Sequence, residues 1–224
     1  MVSTNDKGET QGGAVLGYRQ YTGSALVGLT EKADDKGKQF LEKPTLAEAH
    51  SDGSIAWGRW TDGKGDSPGV AKGELTSVHY FTFAGTPTLP VLKSFTSFGS
   101  TATTVTAAKG QLVGIGGENA ASGTLQVTFA SVVGGFASYN LSVPVSGQTF
   151  SLTGTALQTG TYGFAGPALI TSTGSGCASL CTGALGGGNA VRGMVGGTGS
   201  SRAGLVYGFN SNLGTVSGAM VFKP

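Results

Sequence analysis

The sequence predicts an all-β fold: an antiparallel up-and-down β-barrel of about eight strands, with an N-terminal extension that contains one short helix. Three observations predict it. Apolar and polar side chains alternate at a period of two through much of the second half. Turn signals recur at roughly 8–12-residue intervals, which suits hairpins and leaves no room for βαβ units. The chain has 41 Gly and only 12% charged residues, a composition for short strands, tight turns and close strand packing.

The elements follow in order. Residues 1–13 are polar and read as a frayed start. Residues 14–29 alternate weakly around Tyr18 and Tyr21 and read as one or two strands. Residues 31–43 are the most charged stretch and read as a loop. Thr45-Leu46-Ala47-Glu48-Ala49-His50 is the one helix-like segment, with Thr45 as N-cap and Glu48 three residues on, a capping box. Residues 1–53 are therefore expected to form the extension, packed on a barrel of residues 54–224.

Residues 54–61 carry Ile55, Trp57, Arg59 and Trp60 in a strand, and residues 62–73 form a polar Gly/Pro loop. Leu75, His79, Phe81 and Phe83 fall on one face of the next strand, Val78 and Tyr80 on the other. Thr86-Pro87-Thr88-Leu89-Pro90 is a turn. Strands are expected over 92–105 and 111–115. Cleaner alternation follows at Leu125, Val127 and Phe129, then at Tyr139, Leu141, Val143 and Val145, then at Phe150 and Leu152. The closing pair is Leu205, Tyr207 and Phe209 with Val216, Gly218, Met220 and Phe222. Leu125, Val127, Phe129, Tyr139, Leu141, Val143, Leu205, Tyr207, Met220 and Phe222 are the set expected inside the barrel. Closing the meander removes its edges.

The net charge is only +2, but its distribution is uneven. Residues 1–74 hold 9 Lys/Arg and 11 Asp/Glu; residues 75–224 hold 5 Lys/Arg and a single acid, Glu118. The solvent face of the barrel must be built from Ser, Thr, Asn, Gln and Gly, as in secreted and cell-surface β proteins. Nucleic acid is excluded as a partner, since no basic cluster exists. No apolar run reaches the length of a transmembrane helix. The polar start shows no signal peptide, so an exported form would be a mature fragment with an added first residue.

Cys177 and Cys181 are spaced C-x3-C in Gly-Cys-Ala-Ser-Leu-Cys-Thr-Gly. A zinc site would need two more ligands, and His50 and His79 are far away in sequence. A disulfide across a three-residue loop at a hairpin tip is the expectation, worth roughly 2–3 kcal/mol at most. It implies an oxidising compartment, the periplasm or the bacterial cell surface. Two free thiols in a cytosolic protein are the alternative.

Three stretches carry a resemblance. They are Ile55-Ala56-Trp57-Gly58-Arg59-Trp60; Val78-His79-Tyr80 with Gly85-Thr86-Pro87-Thr88; and Ser201-Arg202-Ala203-Gly204-Leu205-Val206-Tyr207 with Gly214-Thr215-Val216-Ser217-Gly218-Ala219-Met220-Val221-Phe222. Over roughly residues 54–223 the chain resembles the C-terminal barrel of proteobacterial FecR-domain-containing proteins. Its Gly-rich ending is similar, more loosely, to the barrels of transferrin-binding-protein-like surface lipoproteins. That second resemblance implies a role in iron or haem capture at the bacterial surface. Neither transfers any ligand residue.

Candidate chemistry is sparse. Gly65-Asp66-Ser67-Pro68-Gly69 matches the G-x-S-x-G spacing, but Pro68 lacks the N–H that an oxyanion hole needs at that position. His79, on one strand face with Phe81 and Phe83, reads as a buried or rim histidine with a satisfied hydrogen bond, with a haem or metal ligand as the alternative. Trp57 and Trp60 should face opposite ways, one in the core and one exposed or stacked under a loop. Arg59 should hold a carboxylate, Asp62 or Asp66. The weak binding candidates are Trp57, Arg59, Trp60 and His79; no catalytic residue and no metal ligand is assigned, and haem is the one cofactor considered. The expected function is a non-catalytic, monomeric binding module of the cell envelope that presents loops at one barrel end to a protein or small-molecule ligand. A structural or adhesive module of a larger surface protein is the alternative, and a hydrolase is the third.

Overall fold

The computed structural model describes residues 1–13, 18–22, 25–30, 41–42, 44–65, 71–131 and 134–224. The first part of the chain forms β1 (Val2–Asn5), β2 (Thr10–Gly12), β3 (Tyr18–Thr22), β4 (Ala25–Thr30), β5 (Leu41–Glu42), β6 (Leu46–Ser51), β7 (Ile55–Trp60), β8 (Lys64–Gly65) and β9 (Gly73–Phe83). Five of these make an antiparallel sheet in the order β2-β1-β9-β7-β6, with β8 and β5 added at the end of β9; β3 and β4 form a separate hairpin.

The rest folds as β10 (Val91–Ser100), β11 (Thr104–Thr106), β12 (Leu112–Ile115), β13 (Ser122–Phe129), β14 (Phe136–Val145), β15 (Gln148–Thr159), β16 (Gly163–Gly166), β17 (Leu169–Ser172), β18 (Thr182–Gly183), β19 (Val191–Gly196), β20 (Arg202–Ser211) and β21 (Gly214–Lys223). Strands β10, β13, β14, β15, β16, β19, β20 and β21 pair in that order, and β21 returns to β10, which closes an eight-stranded antiparallel barrel. All ten residues expected inside it are buried in one continuous core with Phe95, Phe150, Phe164 and Phe209. The alternation was readable because each barrel strand has one apolar face to hide and one polar face to show.

Several expectations change. The first is the helix. Residues 46–51 form a strand paired with β7, and the described residues contain only short 3-10 turns besides strands. The capping-box groups have other partners: the N–H and hydroxyl of Thr45 both donate to the Asp62 carboxylate, at 2.6 and 2.9 Å. Glu48 turns inward to Arg59. Tertiary partners thus override a weak local helix signal.

The second is the start of the barrel. Strands β7 and β9 pair with β1 and β6, so residues 55–83 belong to the first sheet, and the first barrel strand begins at Val91 rather than near Ser54. The third is the N-terminus. Residues 2–5 are fully buried as β1, so this segment is an ordered strand, not a frayed start. Opposite it, β9 carries a bulge: Thr4 faces Ser77 while Asn5 faces Leu75. The extra residue, Thr76, flips Leu75 to the side of Val78 and Tyr80 and away from His79.

The layers are hairpin, sheet and barrel wall. Trp60, Val78 and Tyr80 pack toward Leu26 of the hairpin. Trp57, Ile55 and Val2 face the outer wall of β20 and β21. Because the sheet is covered on both sides, every residue of β7 is buried.

The expected disulfide is present, Cys177 to Cys181. Its loop joins β17 to β18, which pair with β15 and β20 respectively, so it is a connection between separate strands and not a hairpin tip. Cys181 packs on the barrel core.

Candidate functional site

The four residues singled out from the sequence come together at the seam between sheet and barrel, and none faces solvent. Trp57 is 7% exposed and Trp60 not at all, on opposite faces as expected. Trp60 stacks on Tyr80 with ring centres 4.4 Å apart. Trp57 lies against Phe98 and Val221 and carries His50 stacked on its other side. A Cβ on Gly99 would come within 2.5 Å of the Trp57 ring, so the barrel wall must be glycine there.

Arg59 is buried, and the carboxylate it holds among the described residues is Glu48, not Asp62. Its Nε donates to Glu48 Oε1 at 2.5 Å, and Glu48 Oε2 accepts the Ala102 N–H at 2.8 Å. Asp62 is occupied by Thr45. Asp66 and Ser67 lie outside the described residues. This ion pair ties β6 and β7 to the barrel segment after β10.

His79 is fully buried. Its Nδ1 lies 2.9 Å from Thr101 Oγ1, and its Nε2 lies 3.0 Å from Ser77 Oγ and 2.9 Å from Thr104 Oγ1. Thr104 in turn meets Ser217 of β21, and Thr101 accepts the Ala219 N–H. Burial, followed by the Arg59 charge, holds the imidazole well below its ordinary pKa, so it is neutral. Ser77 and His79 have the spacing of a nucleophile and its base. However, Nδ1 meets a hydroxyl where a triad has a carboxylate, and His79 is fully buried and Ser77 nearly so, with neither lining the cleft beside β9. The set is a hydrogen-bonded lock, with both ring nitrogens engaged and none open to a haem iron.

Glu48, His50 and Glu118 place one donor atom each within 4.8 Å of one another, a proximity invisible in the sequence. Both Glu48 oxygens already accept hydrogen bonds, one from a guanidinium. A cation would have to displace that charge, so this trio is an extension of the seam.

The open surface lies beyond the sheet. A cleft of about 530 Å³ runs between β9 and the outer wall of β16 and β19. Phe81, Phe83, Pro87, Tyr162 and Met194 supply apolar walls. Phe83 sits flat on Gly196, where any Cβ would overlap its ring. Among the described residues two guanidinium groups line the cleft, Arg19 and Arg192, and no acid does; the Met1 amino group also lies there, its pKa lowered to about 5 by burial and by the Arg192 charge. One Arg19 amino group donates to the Thr82 hydroxyl and, at 3.1 Å, to the Phe83 carbonyl. Arg192 has no acidic partner among the described residues, and its Nε is buried without a hydrogen bond.

Strand register links this cleft to the rest of the wall. Leu92, Thr128, Phe136, Leu157, Ala165, Arg192, Val206 and Ala219 stand directly opposite one another in sequence around the barrel. They form one outward-facing row. Val206 and Ala219 are buried under the sheet with Val2. Ala165 and Arg192 line the cleft. Phe136, Leu157 and Leu92 are bare, 41%, 69% and 64% exposed. Sequence reasoning marked the alternation here but not the row, because large apolar residues at outward positions look like isolated exceptions until the register aligns them.

No family model matches the chain, and no characterised protein matches it in sequence; the resemblance to FecR-associated barrels finds no support there. Several solved structures are distantly similar. Intact Ap-TbpB, with its N and C lobes, aligns with 99% of this chain over 45% of its own length, at 13% identity and a TM-score of 0.49. A structure described as a surface lipoprotein aligns over 80% of both chains at 14% identity and a TM-score of 0.43. The N-lobe of lactoferrin binding protein B of Moraxella bovis aligns over 81% of this chain and 80% of its own, at 12% identity and a TM-score of 0.43.

Proposed function

We propose that this protein is a non-catalytic, extracytoplasmic binding module whose contact surface is the barrel wall next to the sheet, not the loops at a barrel end. The observation that carries the proposal is the continuous outer row from Ala219 to Leu92, covered by the protein's own sheet at Ala219 and Val206 and bare at Leu157, Phe136 and Leu92, with a cation-lined cleft where the cover stops. Exposed apolar surface next to a concave pocket with a few convergent polar groups is the usual form of a binding site. The Cys177–Cys181 disulfide supports an oxidising location, the periplasm or cell surface. No helix among the described residues is long and apolar enough to cross a membrane.

Haem capture is a finer version of this reading, and the closed hydrogen bonding of His79 counts against it. Adding haem to the purified protein is expected to give no Soret shift. The broader reading is tested by a thermal-shift screen of small-molecule libraries on the wild type and on Met194→Trp, which fills the cleft. Ligands that raise the Tm of the wild type but not of the variant are expected. Turnover of ester or glycoside substrates with no such ligand would overturn the proposal in favour of an enzyme.

A further inference from the structure

We infer that the cleft receives a single-chain amphiphile with a carboxylate head, the head on Arg192 and the chain running outward over Ala165 and Leu157 toward Phe136. This rests on the reading of the wall as a binding surface and names the ligand class.

The charge argument comes first. A guanidinium is always protonated, and a half-buried one normally finds an anion. Among the described residues Arg192 has none, and no acid lines the cleft. Its planar fork matches a carboxylate, and such charge-assisted bonds strengthen where water is excluded. Arg19, with one amino group already fixed by Thr82 and Phe83, adds positive potential without being free to move onto the head.

The shape argument is independent. Ala165 stands opposite Arg192, Leu157 opposite Ala165, and Phe136 opposite Leu157. Neighbouring strands lie about 4.8 Å apart, so these three steps carry an apolar track about 14 Å from the cation. The track begins inside a cleft of about 530 Å³, room for one small ligand. A ligand that is charged at one end and apolar along its length meets both features; a compact polar anion would leave Leu157 and Phe136 unused. A single guanidinium without a hydrogen-bond partner suits a monoanionic head better than a phosphate dianion.

The full chain is titrated with sodium palmitate, hexadecanol and hexadecyl phosphate by displacement of a fluorescent fatty acid and by native mass spectrometry. The variants are Arg192→Met, Arg192→Lys and Met194→Trp, each checked for a wild-type Tm. Palmitate is expected to bind the wild type best. Arg192→Met should weaken palmitate at least about tenfold and leave hexadecanol unchanged, with Arg192→Lys in between. Met194→Trp should abolish both. Equal palmitate binding to wild type and Arg192→Met overturns the assignment of the head, though the cleft remains a binding site. Tighter binding of hexadecyl phosphate overturns the choice of carboxylate. If no amphiphile binds while the library screen still yields ligands lost in Met194→Trp, this inference falls and the broader reading stands. If Arg192→Met does not fold, Arg192→Lys against the wild type decides the same question through the palmitate-to-hexadecanol ratio.

Discussion

The covered and bare halves of the barrel wall belong to the same row yet are built differently. Under the sheet, outward positions are small: Gly204, Gly208, Ser217 and Ala219 surround Val206, and the bulk comes from the sheet as Phe81, Trp57 and Val2. On the bare half the bulk sits on the barrel itself, as Leu92, Phe136 and Leu157. One half is a socket and the other a ridge. Close packing of aromatic rings against backbone is what a socket requires, since interiors are filled to crystal-like density. A ridge made only for solubility would carry polar groups. The wall therefore has a permanent internal partner on one side and an unfilled apolar face on the other.

The strongest way to break the comparison is to detach the sheet. Glu48→Ala leaves Arg59 buried with no counter-charge and frees the Ala102 N–H. Removing one partner of a buried ion pair typically destabilises by about 3–5 kcal/mol, because the remaining charge is desolvated and unpaired. Urea denaturation should show the loss, and near-UV signals from Trp57 and Trp60 should change before the barrel unfolds. A cooperative transition shifted by under about 1 kcal/mol would mean that the ion pair is not what fastens sheet to barrel.

The His79 lock tests the same seam through pH. Its folded-state pKa lies well below the ordinary 6.5, chiefly because it is buried. The unfolded chain therefore binds a proton that the folded chain refuses as pH falls below about 6.5, and unfolding is favoured there. The stabilisation should be complete above about pH 7 and decline as pH drops through 6.5. His79→Gln, which keeps two hydrogen-bonding ends and cannot titrate, should flatten that part of the stability–pH curve. An unchanged slope in the variant would assign the acid sensitivity to another group.

The sequence made the barrel legible and the seam nearly illegible, for one physical reason. A barrel strand hides one face, so its alternation shows; Tyr139, Leu141 and Val143 could be placed inside from their spacing alone. Strand β7 hides both faces, so Ile55-Ala56-Trp57-Gly58-Arg59-Trp60 has no pattern to distinguish sheet from barrel. Glu48 looked like a capping residue because its true partner lies eleven residues away across a strand pair. The cleft depends on register: Arg192 is far in sequence from Phe83 and from Leu157, and pairing alone makes them neighbours. The bulge at Thr76 is likewise invisible locally, yet it decides that Leu75 and His79 face opposite ways.

The smallest expected effect is the most telling for the ridge. Leu157→Thr and Val206→Thr make similar changes in the same row, one at a residue 69% exposed and one at a residue 1% exposed. Threonine keeps the strand preference, so backbone propensity is not at issue. At Val206 the hydroxyl would be buried between barrel and sheet, at a loss of roughly 1–3 kcal/mol. At Leu157 water already reaches the side chain, and the stability change should stay within about 0.5 kcal/mol. Paired urea titrations at one pH give the ratio directly. If Leu157→Thr were as destabilising as Val206→Thr, the ridge would already be covered in the folded chain. If it is neutral while palmitate binding weakens, the exposed leucine contributes to contact with a ligand and not to holding the protein together.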